Sequence, residues 1–204
     1  EKTDEEGNVI GRDANRRQSY REKWWVFGEP RSELREALYG LDRYIVTVET
    51  MKHRVFQFLD RDILPDNALW AIAVSDGFHL GILSSRIFVK WMLATGGTLE
   101  DRPKFTKTMC FDPFPFPDPE DETFKNAIGE VAEELDSTRK QILIEHPDLT
   151  ITKLYNVLEK IQNNEELDGN EADICKRGRV LILQELHERL DKLVMDAYGW
   201  PHNL

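Results

Sequence analysis

Two groups of basic and polar side chains have the residue types that contact nucleic acid. One group opens a β-prone segment, and the other lies in a loop ahead of a proline-rich stretch. Arginine and lysine neutralise phosphates and donate to guanine acceptors in the major groove, and threonine meets thymine methyl groups. The candidate DNA-binding residues are therefore Lys52, His53, Arg54, Arg102, Lys104, Thr106, Lys107 and Thr108. On a loop, such residues can equally be solvated surface charges.

The motifs for methyl transfer to a base are absent from the sequence. Enzymes that methylate an exocyclic amine use Asp/Asn-Pro-Pro-aromatic, whose polar side chain and carbonyl accept from the amine of a flipped base. The nearest match, Asp112-Pro113-Phe114, lacks the second proline. Neither residues 77–81 nor Gly96-Gly97 have the strand–G-x-G–helix context that a glycine turn for the methyl donor needs. We therefore expect no cofactor on this chain.

Other catalytic chemistry also lacks its residues. No Lys follows an acid by two places, which a common metal-dependent nuclease motif requires. Ser84 and Ser85 fall in the middle of a predicted helix, where they favour close packing rather than a nucleophile elbow. His53 and His79 lack Cys or acid partners at ligand spacing, so no metal site is predicted. The sequence thus predicts no catalytic residue in this chain.

Three strands and a helix would position the basic residues. β-Branched and aromatic runs predict strands at residues 44–48, 53–59 and 69–74, which imply a mostly antiparallel sheet. Apolar residues three or four apart predict one amphipathic helix at residues 76–95, packed on that sheet. A short helix at residues 32–41 is predicted before the sheet.

The proline segment at residues 111–119 cannot be helical, because each proline removes a donor and biases its predecessor to extended geometry. Beyond it, apolar stripes predict three helices that form a small bundle. The chain is therefore predicted to be α+β, with a polar lead-in at residues 1–23, a sheet domain at 24–119 and a helical domain at 120–204.

Charge is unevenly distributed along the chain. The net charge is -11, yet residues 1–111 carry 17 basic and 17 acidic residues, whereas residues 112–204 carry 10 and 21. Affinity for phosphate comes mainly from Lys and Arg. A neutral first half can present a basic face to DNA, whereas phosphates would repel the acidic second half.

Several features bear on the compartment. No apolar run reaches the length of a membrane span, and the first residues contain neither an initiator Met nor a signal peptide. Cys110 and Cys175 lie far apart without a C-x-x-C motif, so no disulfide framework is indicated. A reducing, cytoplasmic location is therefore expected.

Several segments of the chain, taken in order and spacing, resemble one known family. The segments are residues 24–31, 43–47, 52–56, 78–85 with Trp91, Lys107-Thr108 and 111–117. They resemble the target-recognition domain of MmeI-like adenine DNA methyltransferases of restriction–modification systems. Residues 154–160 and 197–201 are similar to that family's C-terminal helical region, so the resemblance covers residue 24 to the end.

This resemblance implies a sequence-specific reader of double-stranded DNA. In that family, a methyltransferase domain that uses S-adenosylmethionine precedes this region in the same chain, sometimes with a nuclease domain earlier still. The recognition domain would grip the duplex from the major-groove side while the catalytic domain flips and methylates adenine-N6. The partners implied are duplex DNA and that catalytic domain, where the cofactor would be bound.

A protein-interaction module whose acidic helical bundle docks a partner is the alternative. Strongly salt-dependent binding to duplex DNA would favour recognition of nucleic acid. Salt-insensitive association with protein alone would favour docking.

Overall fold

The structure, a computed structural model, describes residues 2–3, 9–10, 22, 32–99 and 102–202. By contacts between its parts, the chain divides into two units, Glu1–Tyr39 and Gly40–Leu204. All the candidate DNA-binding residues belong to the second unit.

In the first unit, strand β1 (Lys2–Thr3) pairs antiparallel with strand β2 (Val9–Ile10). The polar lead-in predicted for residues 1–23 therefore contains a short ribbon. Helix α1 covers Ser32–Ala37, where the sequence predicts a helix. Residues 24–31, the first segment of the family resemblance, lie outside the described residues.

The second unit begins with a three-stranded antiparallel sheet. Strand β3 (Arg43–Val48) is central, with β4 (Gln57–Asp60) on one side and β5 (Leu69–Ile72) on the other. Tyr44, Ile45, Val46 and Thr47 of β3 are all buried, which suits a central strand of β-branched and aromatic residues. The predicted antiparallel sheet is confirmed, although β4 starts later than predicted.

Two helices, rather than the single one predicted, follow the sheet. Helix α2 covers Gly77–Ser84 and helix α3 covers Arg86–Thr95. Ser85 between them has extended backbone geometry, with ψ of 153°. Its hydroxyl donates to the Ile82 carbonyl (2.7 Å) and accepts from the Phe88 N–H (3.3 Å), so one side chain ends α2 and caps α3.

The loop predicted around residues 102–108 contains regular structure. Strand β6 (Gly97–Leu99) pairs antiparallel with β7 (Arg102–Lys104), and a π-helical turn follows at Lys107–Phe111. The indole Nε1 of Trp91 in α3 donates to the Cys110 carbonyl (3.0 Å), which fixes this turn against α3.

Beyond the proline segment, the described residues form four helices instead of the predicted three. They are α4 (Glu122–Glu145), α5 (Ile151–Gln162), α6 (Gly169–Arg177) and α7 (Val180–Ala197). The division between α6 and α7 falls at Gly178, where a Cβ atom would lie 2.2 Å from Leu154 Cδ2. Arg179 then adopts a left-handed conformation (φ 46°), which redirects the chain into α7.

One hydrophobic core runs through the whole second unit. The same buried cluster contains Phe56, Phe58 of β4, Leu80 of α2, Ile128 of α4 and Leu190 of α7. The α+β class is therefore confirmed, and packing is continuous across residue 119. Among the described residues, no helix combines the length and hydrophobicity that crossing a membrane requires.

Candidate nucleic-acid interface

Backbone contacts bring the two basic groups together. The Phe105 N–H donates to the Glu49 carbonyl (2.8 Å), and the Met51 N–H donates to the Pro103 carbonyl (3.4 Å). An isolated antiparallel bridge also joins Thr50 to Lys104. The β6–β7 ribbon is thus attached beside the segment that follows β3. We call this junction, residues 49–54 together with 102–108, the basic ridge.

Four of the candidate residues lie on the exposed part of the ridge. They are Lys52, Arg102, Lys107 and Thr108. Lys107 Nζ pairs with Asp112 Oδ2 (2.8 Å), and that lysine side chain is 62% exposed. An ion pair this exposed contributes at most about 1 kcal/mol, so a phosphate can replace the carboxylate.

Lys104 and Thr106 are partly buried. Lys104 Nζ pairs with Glu49 Oε1 at 3.0 Å, and its side chain is 41% exposed. This interaction links β7 to the end of β3 through side chains as well as backbone. Thr106 precedes the π-helical turn without capping it through its side chain.

Lys52 and His53 contact helix α5. Lys52 Nζ donates to Asn156 Oδ1 (2.9 Å) and to Glu159 Oε2 (2.8 Å), and a ring nitrogen of His53 lies 2.8 Å from the same Asn156 oxygen. The Lys52 hydrogen bond lowers the pKa of Glu159. These two candidates therefore anchor the ridge to the helical region, in addition to any contact with DNA.

Arg54 is buried instead of presented to solvent. Only 8% of the residue is exposed, and its guanidinium donates to Thr47 Oγ1, to the carbonyls of Val48 and Glu49, and to the Pro103 carbonyl. Burial lowers its pKa to about 10, so it stays protonated at neutral pH. The sequence predicts that Arg54 contacts DNA. In the structure its N–H donors face the ends of the strands and form hydrogen bonds with protein oxygens.

Residues that sequence reasoning missed lie on α4, against the outer edge of β4. Arg139 Nη2 donates to the Phe56 carbonyl (2.9 Å), and Lys140 Nζ donates to the Phe58 carbonyl (2.7 Å). Asp136 Oδ2 accepts from the Phe58 N–H at 3.4 Å and from Lys140 at 2.6 Å. The helical region thereby holds the sheet that carries the ridge. In sequence these three residues look like part of a solvated helix face.

The same arginine belongs to a partly buried network. Arg139 Nη1 donates to the Tyr155 hydroxyl (3.2 Å), which lies 2.8 Å from His187 Nε2. Burial and the charge of Arg139 lower the pKa of His187 to about 3. The imidazole is therefore neutral at physiological pH and links α7 to α5 and α4.

An open cleft of about 740 Å³ lies at the start of α2 and along α4. Its lining is rich in acids, and Lys125 at its edge already pairs with Asp118 and Glu122. His79 pairs with Asp76 (2.8 Å), and its ring contacts that of Phe116 (5.7 Å between centroids). Such a lining repels phosphate. Among the described residues, no three His, Cys, Asp or Glu side chains cluster as metal ligands would.

Comparison with known proteins identifies proteins to which the chain is similar. The chain is 28% identical over 138 residues to DNA methyltransferase A of Bacillus subtilis strain 168, which covers 67% of this chain and 13% of that protein. It is also similar to a structure of the type IIL restriction-modification enzyme MmeI in complex with DNA, with a TM-score of 0.59 and 25% identity over 79% of this chain and 19% of that one. The chain thus spans less than a fifth of the length of either protein.

An antiparallel sheet that carries a basic ridge and is held by a helical layer defines the chain as an α+β module of the target-recognition class. Residues 16–118 match the family described as MmeI, target recognition domain. The chain belongs to that family.

Proposed function

We propose that this chain is the sequence-specific double-stranded DNA recognition module of an adenine-N6 DNA methyltransferase of the restriction–modification kind. The observation that carries the proposal is the junction of the two basic segments into one ridge through the Thr50–Lys104 bridge. Membership of the MmeI target-recognition family and similarity to a restriction-modification enzyme in complex with DNA support it.

The β6–β7 ribbon has a shape suited to the major groove. That groove is about 12 Å wide and admits a two-stranded ribbon. Arg102 and Lys104 sit on the ribbon itself, and Lys107 follows it closely. Guanidinium and amine groups at this place can read base edges or hold phosphates, and threonines 106 and 108 can contact thymine methyl groups.

The proposed S-adenosylmethionine would be bound outside this chain's described residues. A donor site needs glycines that leave the backbone open to the ligand. Here a Cβ at Gly77 would lie 2.8 Å from the Gly129 carbonyl oxygen, and one at Gly81 would lie 2.5 Å from Ile128 Cγ2. At these two glycines the neighbouring helix lies close to the backbone. Calorimetry of this chain with S-adenosylmethionine is expected to show no heat beyond dilution.

The salt dependence of DNA binding tests the proposal. Removing one lysine that neutralises a phosphate lowers the slope of log affinity against log salt by about one unit. We expect Lys107→Ala to produce this change, whereas Lys192→Ala on α7, an exposed lysine outside the ridge, leaves the slope as it is in wild type. Equal effects of the two variants, or binding without salt dependence, would contradict a DNA-facing ridge.

Docking of a basic protein segment is a second candidate function, which the acidic cleft favours. Asp76, Asp118, Glu122, Glu130 and Glu133 line it beside Phe78 and Phe116. In this case Glu130→Gln would weaken association with protein and leave DNA binding intact. A variant of the ridge that weakens only DNA binding supports recognition of DNA, whereas a variant of the cleft that weakens only protein association supports docking.

A further inference from the structure

We infer that Arg54 is a positioning residue whose buried guanidinium ties β7 to the end of β3 and so sets where the ribbon holds Arg102 and Lys104. The inference rests on the proposed function, in which the ribbon reads DNA. It assigns to Arg54 a role through other residues rather than through contact with DNA.

The hydrogen bonds of Arg54 span two segments that are far apart in sequence. On one side its Nη1 donates to Thr47 Oγ1 (3.1 Å) and to the Val48 carbonyl, and its Nη2 lies 3.3 Å from the Glu49 carbonyl. On the other side Nη2 donates to the Pro103 carbonyl at 3.1 Å. One rigid, planar group therefore fixes the separation between the sheet and the ribbon.

The chemistry of these partners requires arginine. All four are neutral oxygens, so the guanidinium is held by hydrogen bonds without a carboxylate among them. Guanidinium offers several donors in one plane, whereas the amine of lysine is a single point on a flexible stem. A lysine here would lose the geometry while it kept the charge.

The ribbon needs this tie because its anchor lies at one end. Phe105, directly after β7, is buried and packs edge-on against Phe56 and Trp70, with ring centroids 5.8 and 6.0 Å apart. Pro103, two residues earlier, is held by the 3.4 Å bond from Met51 and by Arg54. Without Arg54, the part of the ribbon that carries Arg102 can shift.

Hydrogen exchange tests the tie without DNA. We expect Arg54→Gln and Arg54→Lys to speed exchange of the Met51 amide, which bonds to Pro103, by about tenfold relative to wild type, as loss of a charged hydrogen bond implies. Tyr44→Phe is the matched control, because it removes a side-chain hydrogen bond near the other end of β3, to the Ile63 carbonyl, and leaves all the bonds of Arg54 in place. If both Arg54 variants leave this amide as protected as in wild type, the tie does not exist.

Selection from a library of randomised DNA duplexes tests the consequence for reading. At equal thermal stability, set by comparison with Tyr44→Phe, we expect the Arg54 variants to lose preference among sequences several-fold while the salt slope stays unchanged. Tyr44→Phe is expected to keep the wild-type preference. A wild-type motif that survives intact in both Arg54 variants overturns the inference, whereas a wild-type protein that selects no motif overturns the proposed function instead.

Discussion

At the scale of single residues, charged side chains of α4 form hydrogen bonds with the backbone along the outer edge of β4. Another strand would otherwise form these bonds. An edge strand presents unpaired N–H and carbonyl groups, which invite pairing with other chains. Here Asp136 accepts from one such N–H, and Arg139 and Lys140 donate to two such carbonyls. The edge is therefore satisfied by the helical region, which makes the sheet's stability depend on these side chains.

Removal of the central carboxylate is expected to be costly. Asp136 is buried beside the buried Arg139, 3.7 Å away, and Asp136→Ala leaves that cation without its counter-charge. Loss of one partner from a buried ion pair costs about 3–5 kcal/mol. Urea denaturation measures the free energy of unfolding, with Lys140→Met as control. The Lys140 side chain is 44% exposed, so its loss is expected to cost much less. Equal losses of unfolding free energy in the two variants would show that the buried charge of Asp136 is no more important for stability than the exposed Lys140.

His187 gives the stability a defined pH dependence. Its folded pKa, about 3, lies below the ordinary value of 6.5, so only the unfolded chain takes up the proton between these values. The stabilisation is complete above pH 6.5 and is lost as pH falls towards 3. Between pH 7 and pH 5.5 this loss amounts to about 1 kcal/mol.

In His187→Gln, we expect the free energy of unfolding to depend less steeply on pH across this range, because this contribution is missing. The variant keeps an acceptor for the Tyr155 hydroxyl. The difference between wild type and variant isolates His187 from the other histidines. Identical slopes would mean that the imidazole titrates normally in the folded chain.

At the scale of elements, α2 and α4 approach each other closely at two glycines. Gly77 at the start of α2 faces the backbone of Gly129, and a Cβ on Gly77 would stand 2.9 Å from Gly129 Cα. A Cβ on Gly129 would instead meet its nearest atom, the Phe78 nitrogen, at 3.5 Å, which is an ordinary van der Waals distance. The packing therefore leaves no room for a Cβ atom at Gly77, whereas it leaves room for one at Gly129.

Alanine substitutions at the two positions test this difference in packing. Gly77→Ala is expected to destabilise by about 1–3 kcal/mol, because rigid backbone leaves the methyl group no room. Gly129→Ala, in the middle of α4, is expected to be neutral or to stabilise by up to about 1 kcal/mol through helix propensity. Thermal unfolding of both variants decides the matter. A stable Gly77→Ala protein would mean that α2 can move away from α4.

Elements with a strong local period could be predicted from the sequence. Strand β3 and the helix that begins after Asp76 followed from β-branched runs and apolar spacing. The break at Ser85 could not, because a serine in a helical pattern can pack, cap or face solvent. The extra helix boundary depends on the closeness of Gly178 to Leu154, a tertiary feature that local pattern does not contain.

The candidate interface was predictable to a similar extent. Residue type identified the basic segments, but flanking β-prone residues gave no means to distinguish the buried Arg54 from the exposed Arg102. The attachment of Lys52 to Glu159 depends on α5, more than a hundred residues later. Contact of individual residues with DNA stays a prediction.

At the scale of the whole molecule, the charge separates into a near-neutral part that carries the ridge and an acidic helical part. The helices hold the sheet edge through Arg139 and Lys140 and the ridge through Asn156 and Glu159. They stabilise the sheet and the ridge, and their excess acid opposes non-specific binding of phosphate. On this account, recognition depends on the ribbon and its supports together.

The most direct measurement is the DNA motif that the protein selects from a randomised duplex library at low salt, compared among wild type, Arg102→Ala and Lys192→Ala. Wild type is expected to enrich one defined motif. Removing a side chain that reads a base costs about 1–3 kcal/mol at its base pair, so Arg102→Ala is expected to relax that motif at one or two positions, while Lys192→Ala leaves it unchanged. A wild-type pool with no enrichment, or a motif that is the same in all three proteins, would contradict the assignment of the β6–β7 ribbon as the reader of DNA.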